Sequence, residues 1–396
     1  MAGRERVTVK KRSRKKLSEV KGDLIIGKGA TIVAEKDTIT VGGRIKNKGG
    51  FKCRGNLVAK RLTSTKGSGY GKYGAVKIYG NLTTEQDIEV EVKLLVTGFL
   101  KTEEASAGMT LMVQKGTDAD KISAGMKVVL KGETAVDKVS AGSKVALYGK
   151  QTIGSVSAGR RINQHGYGEF ESTSSGAKSV FNNCKIQKAS AGLSFIAKGD
   201  AELGKVSAGF GVKIKGKASI DSGSAGFSVK ASKAITFGKL SAGFKTIFRK
   251  NATGNSISAG FKIKSLGSLE AKGNLSAGFK VIAATKLTGT YISAGRKIKA
   301  RKIEADEIKV NKRGRLIGKV RADRVILNDK ARASNLYVNE LEMYERSKAR
   351  NVFANTIIIE NYAVLKGKVE YTDRIEAEPK AKIRAKPKKV EKLPLE

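Results

Sequence analysis

Proline is nearly absent from this chain, and its position is informative. The three prolines, Pro379, Pro387 and Pro394, all lie within the last 18 of 396 residues. Because proline cannot donate a hydrogen bond to a β-ladder, its absence from the long preceding segment is typical of continuous strand pairing. We therefore expect ordered structure to end near residue 376 and the Lys-rich segment 377–396 to be a disordered tail.

Groups that support chemistry are also scarce. The chain has no tryptophan, one histidine, His165, and two cysteines, Cys53 and Cys184. A lone histidine without cysteine or carboxylate neighbours is rarely a metal ligand, and the carboxylate clusters of β-helical lyases are not visible. We therefore predict no catalytic residues, metal, cofactor or small-molecule substrate, and expect a non-enzymatic protein. A β-helical enzyme remains a third alternative.

Secretory and membrane-spanning features are missing as well. Two widely separated cysteines do not form the disulfide framework of a small secreted domain. Residues 1–21 contain nine basic residues but no apolar run of the signal-peptide kind, and no later stretch approaches the roughly 18 apolar residues of a membrane span. We expect a cytoplasmic protein, with attachment to the membrane surface left open, and a flexible basic arm over residues 1–21.

Acidic residues are few relative to basic ones. The 78 Lys and Arg residues outnumber 36 Asp and Glu residues, which gives a formal charge of +42. This excess is larger than solubility requires and creates a field that attracts polyanions. The candidate partners are nucleic acid, an anionic membrane surface and acidic polysaccharide.

A Ser-Ala-Gly motif recurs about every 17 residues along the chain. Its twelve copies, one of them degenerate at Ser174-Ser175-Gly176, begin at residues 106, 123, 140, 157, 174, 190, 207, 224, 241, 258, 276 and 293. A fixed period this short predicts a solenoid, in which each repeat is stabilised by its neighbours. We expect regular repeats over 106–309 and degenerate ones on both sides, so that the body covers 22–376.

Apolar residues alternate at period 2 within each repeat, as in Val206 to Ile214. This pattern predicts strands with one buried face, and a repeat of about 17 residues suits a coil of three short strands and three corners. We thus predict an all-β fold, a single elongated parallel β-helix. The motif glycine is expected either to have φ > 0 or to allow close backbone approach. By the same alternation, Phe210, Phe227, Phe244, Phe261 and Phe279 are expected to form a core stack, with a ligand-binding stripe as the alternative.

A basic residue often stands two positions after the motif glycine. Because this position is out of phase with the core, stacked coils are expected to align these cations in an outward column that binds polyanions. The alternative is a solvated, Lys-rich surface of a heat-adapted protein. The candidate residues are Lys127, Lys144, Arg161, Lys178, Lys245, Lys262, Lys280 and Lys297.

The Gly-rich segment 65–74 superficially resembles a phosphate-binding loop. The spacing from Gly67 to Gly71 is one residue short, and Tyr73 replaces the hydroxyl residue that would hold magnesium. We interpret the segment as a surface loop, or as a loop in which Lys66 and Lys72 contact the phosphates of a polyanion.

In the N-terminal part of the body, glycines and β-branched residues follow a regular spacing in Ile26-Gly-Lys-Gly-Ala-Thr-Ile32, Ile39-Thr-Val-Gly-Gly-Arg-Ile45 and Gly55-Asn-Leu57. In this spacing it resembles the bactofilins, a family of polymer-forming cytoskeletal proteins. The resemblance implies a right-handed, three-faced β-helix that joins end to end into filaments without nucleotide. It also implies flanking arms that reach membranes or partners.

Two functions of different classes follow as expectations. The first is a structural scaffold that polymerises end to end with itself and contacts polyanions through its basic surface. The alternative is a monomeric β-helical rod that binds nucleic acid without reading its sequence.

Overall fold

The structure is a computed structural model that describes residues 5–65 and 74–394. All regular elements within these ranges are β-strands, and every strand pair with a defined register is parallel. No helix, and hence none long and apolar enough to cross a membrane, occurs in them. The chain forms two compact units, residues 1–201 and 202–396.

The first unit is a parallel β-solenoid. Its partner strands are offset by one repeat period over most of its length, as in Lys127 opposite Lys144. Its strands are β1 (Arg6–Val9), β2 (Arg14–Leu17), β3 (Glu19–Val20), β4 (Asp23–Ile26), β5 (Thr31–Lys48), β6 (Phe51–Thr65), β7 (Ala75–Tyr79), β8 (Leu82–Thr84), β9 (Ile88–Val90), β10 (Lys93–Val96), β11 (Phe99–Ala107), β12 (Thr110–Val113), β13 (Gly116–Ala124), β14 (Lys127–Lys131), β15 (Glu133–Ala141), β16 (Lys144–Ala158), β17 (Arg161–Ser175), β18 (Lys178–Phe181), β19 (Cys184–Ala191) and β20 (Ser194–Ala197).

The second unit is built in the same way, and its first strand begins at Ala201, the last residue of the first unit. Its strands are β21 (Ala201–Ala208), β22 (Gly211–Ile214), β23 (Ala218–Ala225), β24 (Ser228–Ala231), β25 (Ile235–Ala242), β26 (Lys245–Phe248), β27 (Ala252–Ala259), β28 (Lys262–Ser265), β29 (Leu269–Ala271), β30 (Asn274–Ala277), β31 (Lys280–Ile282), β32 (Lys286–Ala294), β33 (Lys297–Val310), β34 (Arg315–Leu327), β35 (Arg332–Met343), β36 (Lys348–Ala349), β37 (Asn351–Ile359), β38 (Val364–Leu365), β39 (Val369–Ala377), β40 (Lys382–Ile383) and β41 (Lys388–Lys389).

The interior of each unit consists of stacked apolar side chains, mostly aliphatic but with phenylalanines such as Phe181 and Phe248. In the second unit one inward column runs through Leu240, Ile257, Leu275 and Ile292, which are 0–2% exposed and lie in register on successive turns. Because each turn shields the apolar face of the next, burial is shared along the repeat rather than concentrated in one centre. The predicted fold class, an all-β parallel β-solenoid with turns of about 17 residues, is confirmed in each unit.

The two segments expected to be flexible arms contain strands. In segment 1–21, β1, β2 and β3 pair with β4 and β5 and bury Val9, Leu17 and Val20. The physical reason is that apolar residues between the basic ones continue the strand pattern of the following turns. In segment 377–394, β40 and β41 are two residues long, and no residue from 378 to 394 is buried.

Candidate polyanion-binding surface

The corner formed by each Ser-Ala-Gly motif determines where the following side chains lie. No motif glycine in the described residues has positive φ. Instead, a Cβ at Gly243 would collide with the carbonyl oxygen of Gly226, and a Cβ at Gly260 with that of Gly243. Of the two expected roles of this glycine, the structure therefore shows close backbone approach between successive turns.

Backbone hydrogen bonds after the corner keep successive turns in register. The N–H groups of Lys245, Lys262 and Lys280 donate to carbonyl oxygens of the preceding turn at 3.0–3.1 Å. Each lysine is the first residue of its strand, so its side chain projects at the same place on every turn. Cations two positions after the glycine are thus stacked by the backbone itself.

The first unit contains four of the candidate cations in one register, which we call the N-terminal column. Lys127 lies opposite Lys144, Lys144 opposite Arg161, and Arg161 opposite Lys178. Arg161 is exposed and the three lysines are half-buried. The column is flanked by uncharged residues, Thr110 at one end and Ser194 at the other.

The second unit contains a longer register of seven cations, which we call the C-terminal column. Sequence reasoning placed four of them, and the structure brings all four together: Lys245, Lys262, Lys280 and Lys297. Three more follow in the same register, Arg315, Arg332 and Lys348. They were missed because the Ser-Ala-Gly motif ends at Gly295, although a spacing close to the repeat period continues beyond it and would have identified them.

The columns carry uncompensated positive charge. No column residue forms an ion pair with another described residue, whereas nearby cations outside the columns do, as in Lys286 with Glu304 at 2.7 Å. The pKa of Lys262 is lowered, first by partial burial and then by repulsion from Lys264, Lys280 and Lys245. Cross-strand neighbours are about 4.8 Å apart, so a bound anion would relieve this repulsion.

The prediction that five phenylalanines stack in the core is wrong about their location. The five rings do stack, with centroids 4.8–5.0 Å apart and interplanar angles of 4–12°, but they lie outside, at the corner. Phe210 is 55% exposed, and Phe244 and Phe261 are each 37% exposed. The alternation was extended through the corner, where in fact two consecutive residues, Gly260 and Phe261, are both exposed.

This phenylalanine ladder, Phe210, Phe227, Phe244, Phe261 and Phe279, runs directly beside the C-terminal column. The ammonium of Lys245 lies 5.2 Å from the ring centroid of Phe227 and 5.6 Å from that of Phe244. The ammonium of Lys280 lies 4.6 Å from the ring of Phe279. These distances are within the range of cation–π attraction, so the surface combines a row of cations with a row of aromatic edges.

Other residues singled out from the sequence lie away from these columns or outside the described ranges. Lys66 and Lys72 belong to residues that the structure does not describe. His165 stacks on Tyr148 with ring centroids 4.9 Å apart. Burial raises the pKa of the Cys53 and Cys184 thiols to about 12. Within residues 5–65 and 74–394, no group of three or more His, Cys, Asp or Glu side chains could hold a metal ion.

The chain was compared with known protein families, proteins and structures. No protein-family model, curated protein or solved structure matches this chain.

Proposed function

We propose that this protein is a non-enzymatic scaffold whose basic columns bind polyanions. The observation that carries the proposal is the C-terminal column, in which seven cations share one register and none has an acidic partner among the described residues. Aligned like charges cost stability unless anions occupy them. A chain with a regular series of negative charges satisfies many column cations at once, so its affinity exceeds that of single anions.

The test compares two variants of equal charge. The column variant replaces Lys245, Lys262, Lys280 and Lys297 with Gln. The matched control replaces four exposed lysines of the same unit that lie outside the column, Lys205, Lys233, Lys239 and Lys272, with Gln. Binding of a fluorescent single-stranded oligonucleotide and of a sulfated polysaccharide is measured over a salt series by anisotropy.

The column variant is expected to lose affinity by at least about tenfold and to show a salt slope shallower by roughly 0.7 for each phosphate that is no longer neutralised. The control is expected to lose much less. Equal losses in the two variants would show that diffuse charge, rather than the column, holds the anion.

A second function, end-to-end self-assembly, is supported by the first turn. Within the described residues, β1 pairs only with β4, and β2 and β3 pair only with β5, so one edge of each strand is open. An open strand edge on a solenoid turn is a template for another chain. The resemblance to bactofilins supports the same proposal.

Electron microscopy of nuclease-treated protein without nucleotide, over a salt series, tests this second proposal. Thin filaments that persist without nucleic acid are the expected result. Discrete particles at all protein and salt concentrations would leave the alternative, a monomeric rod that binds nucleic acid without sequence preference.

A further inference from the structure

The phenylalanine ladder is unexplained by contacts to soluble polyanions. Nucleic acid gains affinity from aromatic residues by stacking bases on open ring faces. In the ladder, Phe227, Phe244 and Phe261 each have neighbouring rings on both faces at 4.8–5.0 Å. Only the edges of these three rings are left exposed, so a base has no face on which to stack along the middle of the ladder.

Apolar side chains nevertheless occupy this corner position repeatedly. In the first unit, the residue after the motif glycine is Met109, Met126 or Leu193 in three copies, with exposures of 48%, 52% and 58%. Isolated exposed apolar residues are ordinary, but a contiguous row of five rings marks a surface that contacts something apolar.

The charge beside the ladder indicates what that partner is. From Lys205 to Lys302 the chain has 20 Lys or Arg residues and two acids, Asp221 and Glu270. A second copy of this surface would bring two cation columns together, which is unfavourable. A partner with an apolar layer beneath a layer of negative charge would match both the phenylalanine ladder and the C-terminal column. The surface of an anionic bilayer has these two layers.

We propose that the phenylalanine ladder and the C-terminal column together form a docking surface for anionic membranes. Ring edges enter the boundary between headgroups and acyl chains, while the ammonium groups of Lys245, Lys262 and Lys280 reach the lipid phosphates. This inference rests on the proposed polyanion binding. It identifies the phosphates of lipid headgroups as the anions that the C-terminal column binds.

The absence of tryptophan from the chain makes a direct test possible. Phe261→Trp places a single indole in the ladder. Leu266→Trp is the matched control, because Leu266 is 52% exposed at a different corner of the same turn. Each full-length variant is mixed with vesicles of phosphatidylcholine and phosphatidylglycerol, with and without brominated acyl chains.

The expected result is a blue shift and bromine quenching for Phe261→Trp and neither for Leu266→Trp. Quenching at neither position, or equally at both, would overturn the inference. A shift that depends on protein concentration without vesicles would also overturn it, because the ladder would then lie between copies. An equal blue shift of Phe261→Trp on addition of single-stranded DNA would also overturn the inference, because the ladder would then bind nucleic acid.

A second pair of variants separates this inference from the proposed function. Phe244→Ser with Phe261→Ser is expected to reduce vesicle binding at least tenfold and leave oligonucleotide binding unchanged, while Phe244→Leu with Phe261→Leu retains most vesicle binding. Unchanged vesicle binding in the serine variant contradicts the membrane inference alone. If the column variant binds both vesicles and oligonucleotides like the wild type, the proposed function itself fails.

Discussion

At the scale of single residues, the motif glycine is required by the spacing between turns rather than by its backbone angles. We expect Gly243→Ala to destabilise the protein by roughly 1–3 kcal/mol, the scale of overpacking, because the new methyl group would meet the Gly226 carbonyl oxygen. Gly211→Ala is the control, since its Cβ comes no closer than 3.4 Å to a neighbouring turn. Urea unfolding measures both. Equal effects would mean that close approach between successive turns does not explain the glycine.

Repulsion within the C-terminal column is also a residue-scale property. The lowered pKa of Lys262 means that the folded state disfavours its charged form. Its contribution to stability is therefore unfavourable at neutral pH and is relieved as pH rises through the folded pKa. We expect Lys262→Gln to raise the thermal midpoint at pH 7 and low salt, with a gain in unfolding free energy on the order of 0.5 kcal/mol.

The pH and salt dependence provide the check on this prediction. The advantage of Lys262→Gln should shrink in high salt, which screens the column, and toward pH 11, where the wild-type lysine loses its charge. A stabilisation that is independent of both conditions would instead come from packing of the glutamine side chain.

At the scale of elements, the open edge of β1 makes end-to-end assembly testable. The amides of Asp23 and Gly27 donate to the carbonyl oxygens of Glu5 and Val9, at 3.0 and 2.8 Å. In a parallel ladder, alternate residues of a strand bond to the same partner strand. Since Glu5 and Val9 bond to β4, the N–H groups of Val7 and Val9 face β4, and that of Thr8 points to the open edge. Thr8→Pro therefore blocks the edge without removing a β1–β4 hydrogen bond.

We expect Thr8→Pro to lower filament mass by about tenfold or more at a fixed concentration, because a donor is removed and the ring obstructs an incoming strand. Thr8→Val, which keeps the N–H, should assemble like the wild type in sedimentation. If the proline variant also assembled normally, the joint would involve another part of the molecule.

The elements also show how far sequence alone could go. The fixed repeat period and the alternation within strands were enough to predict the solenoid and the outward direction of residues such as Lys262. The same alternation misplaced Phe261, because it assumes a straight strand, and at a corner the chain direction changes so that two adjacent residues, Gly260 and Phe261, are both exposed. Strands β1 and β2 were missed because basic residues obscured the apolar positions Val9 and Leu17.

At the scale of the whole molecule, the formal charge of +42 makes stability depend on the surrounding ions. Self-repulsion destabilises a compact state, and salt screens it. We expect the thermal midpoint to rise with sodium chloride. A sulfated polysaccharide at equal ionic strength should raise it further, because a ligand present at 100 times its Kd stabilises the folded state by about 2.7 kcal/mol.

The column variant makes this prediction specific. Replacing Lys245, Lys262, Lys280 and Lys297 with Gln should abolish most of the additional rise in thermal midpoint that the polysaccharide produces. The rise in thermal midpoint with sodium chloride should be mostly retained, because the remaining net charge is still large. If the polysaccharide stabilised the column variant and the wild type equally, binding would be a property of the total charge. The register of the seven cations would then be a consequence of how successive turns stack rather than a device for recognising an anion.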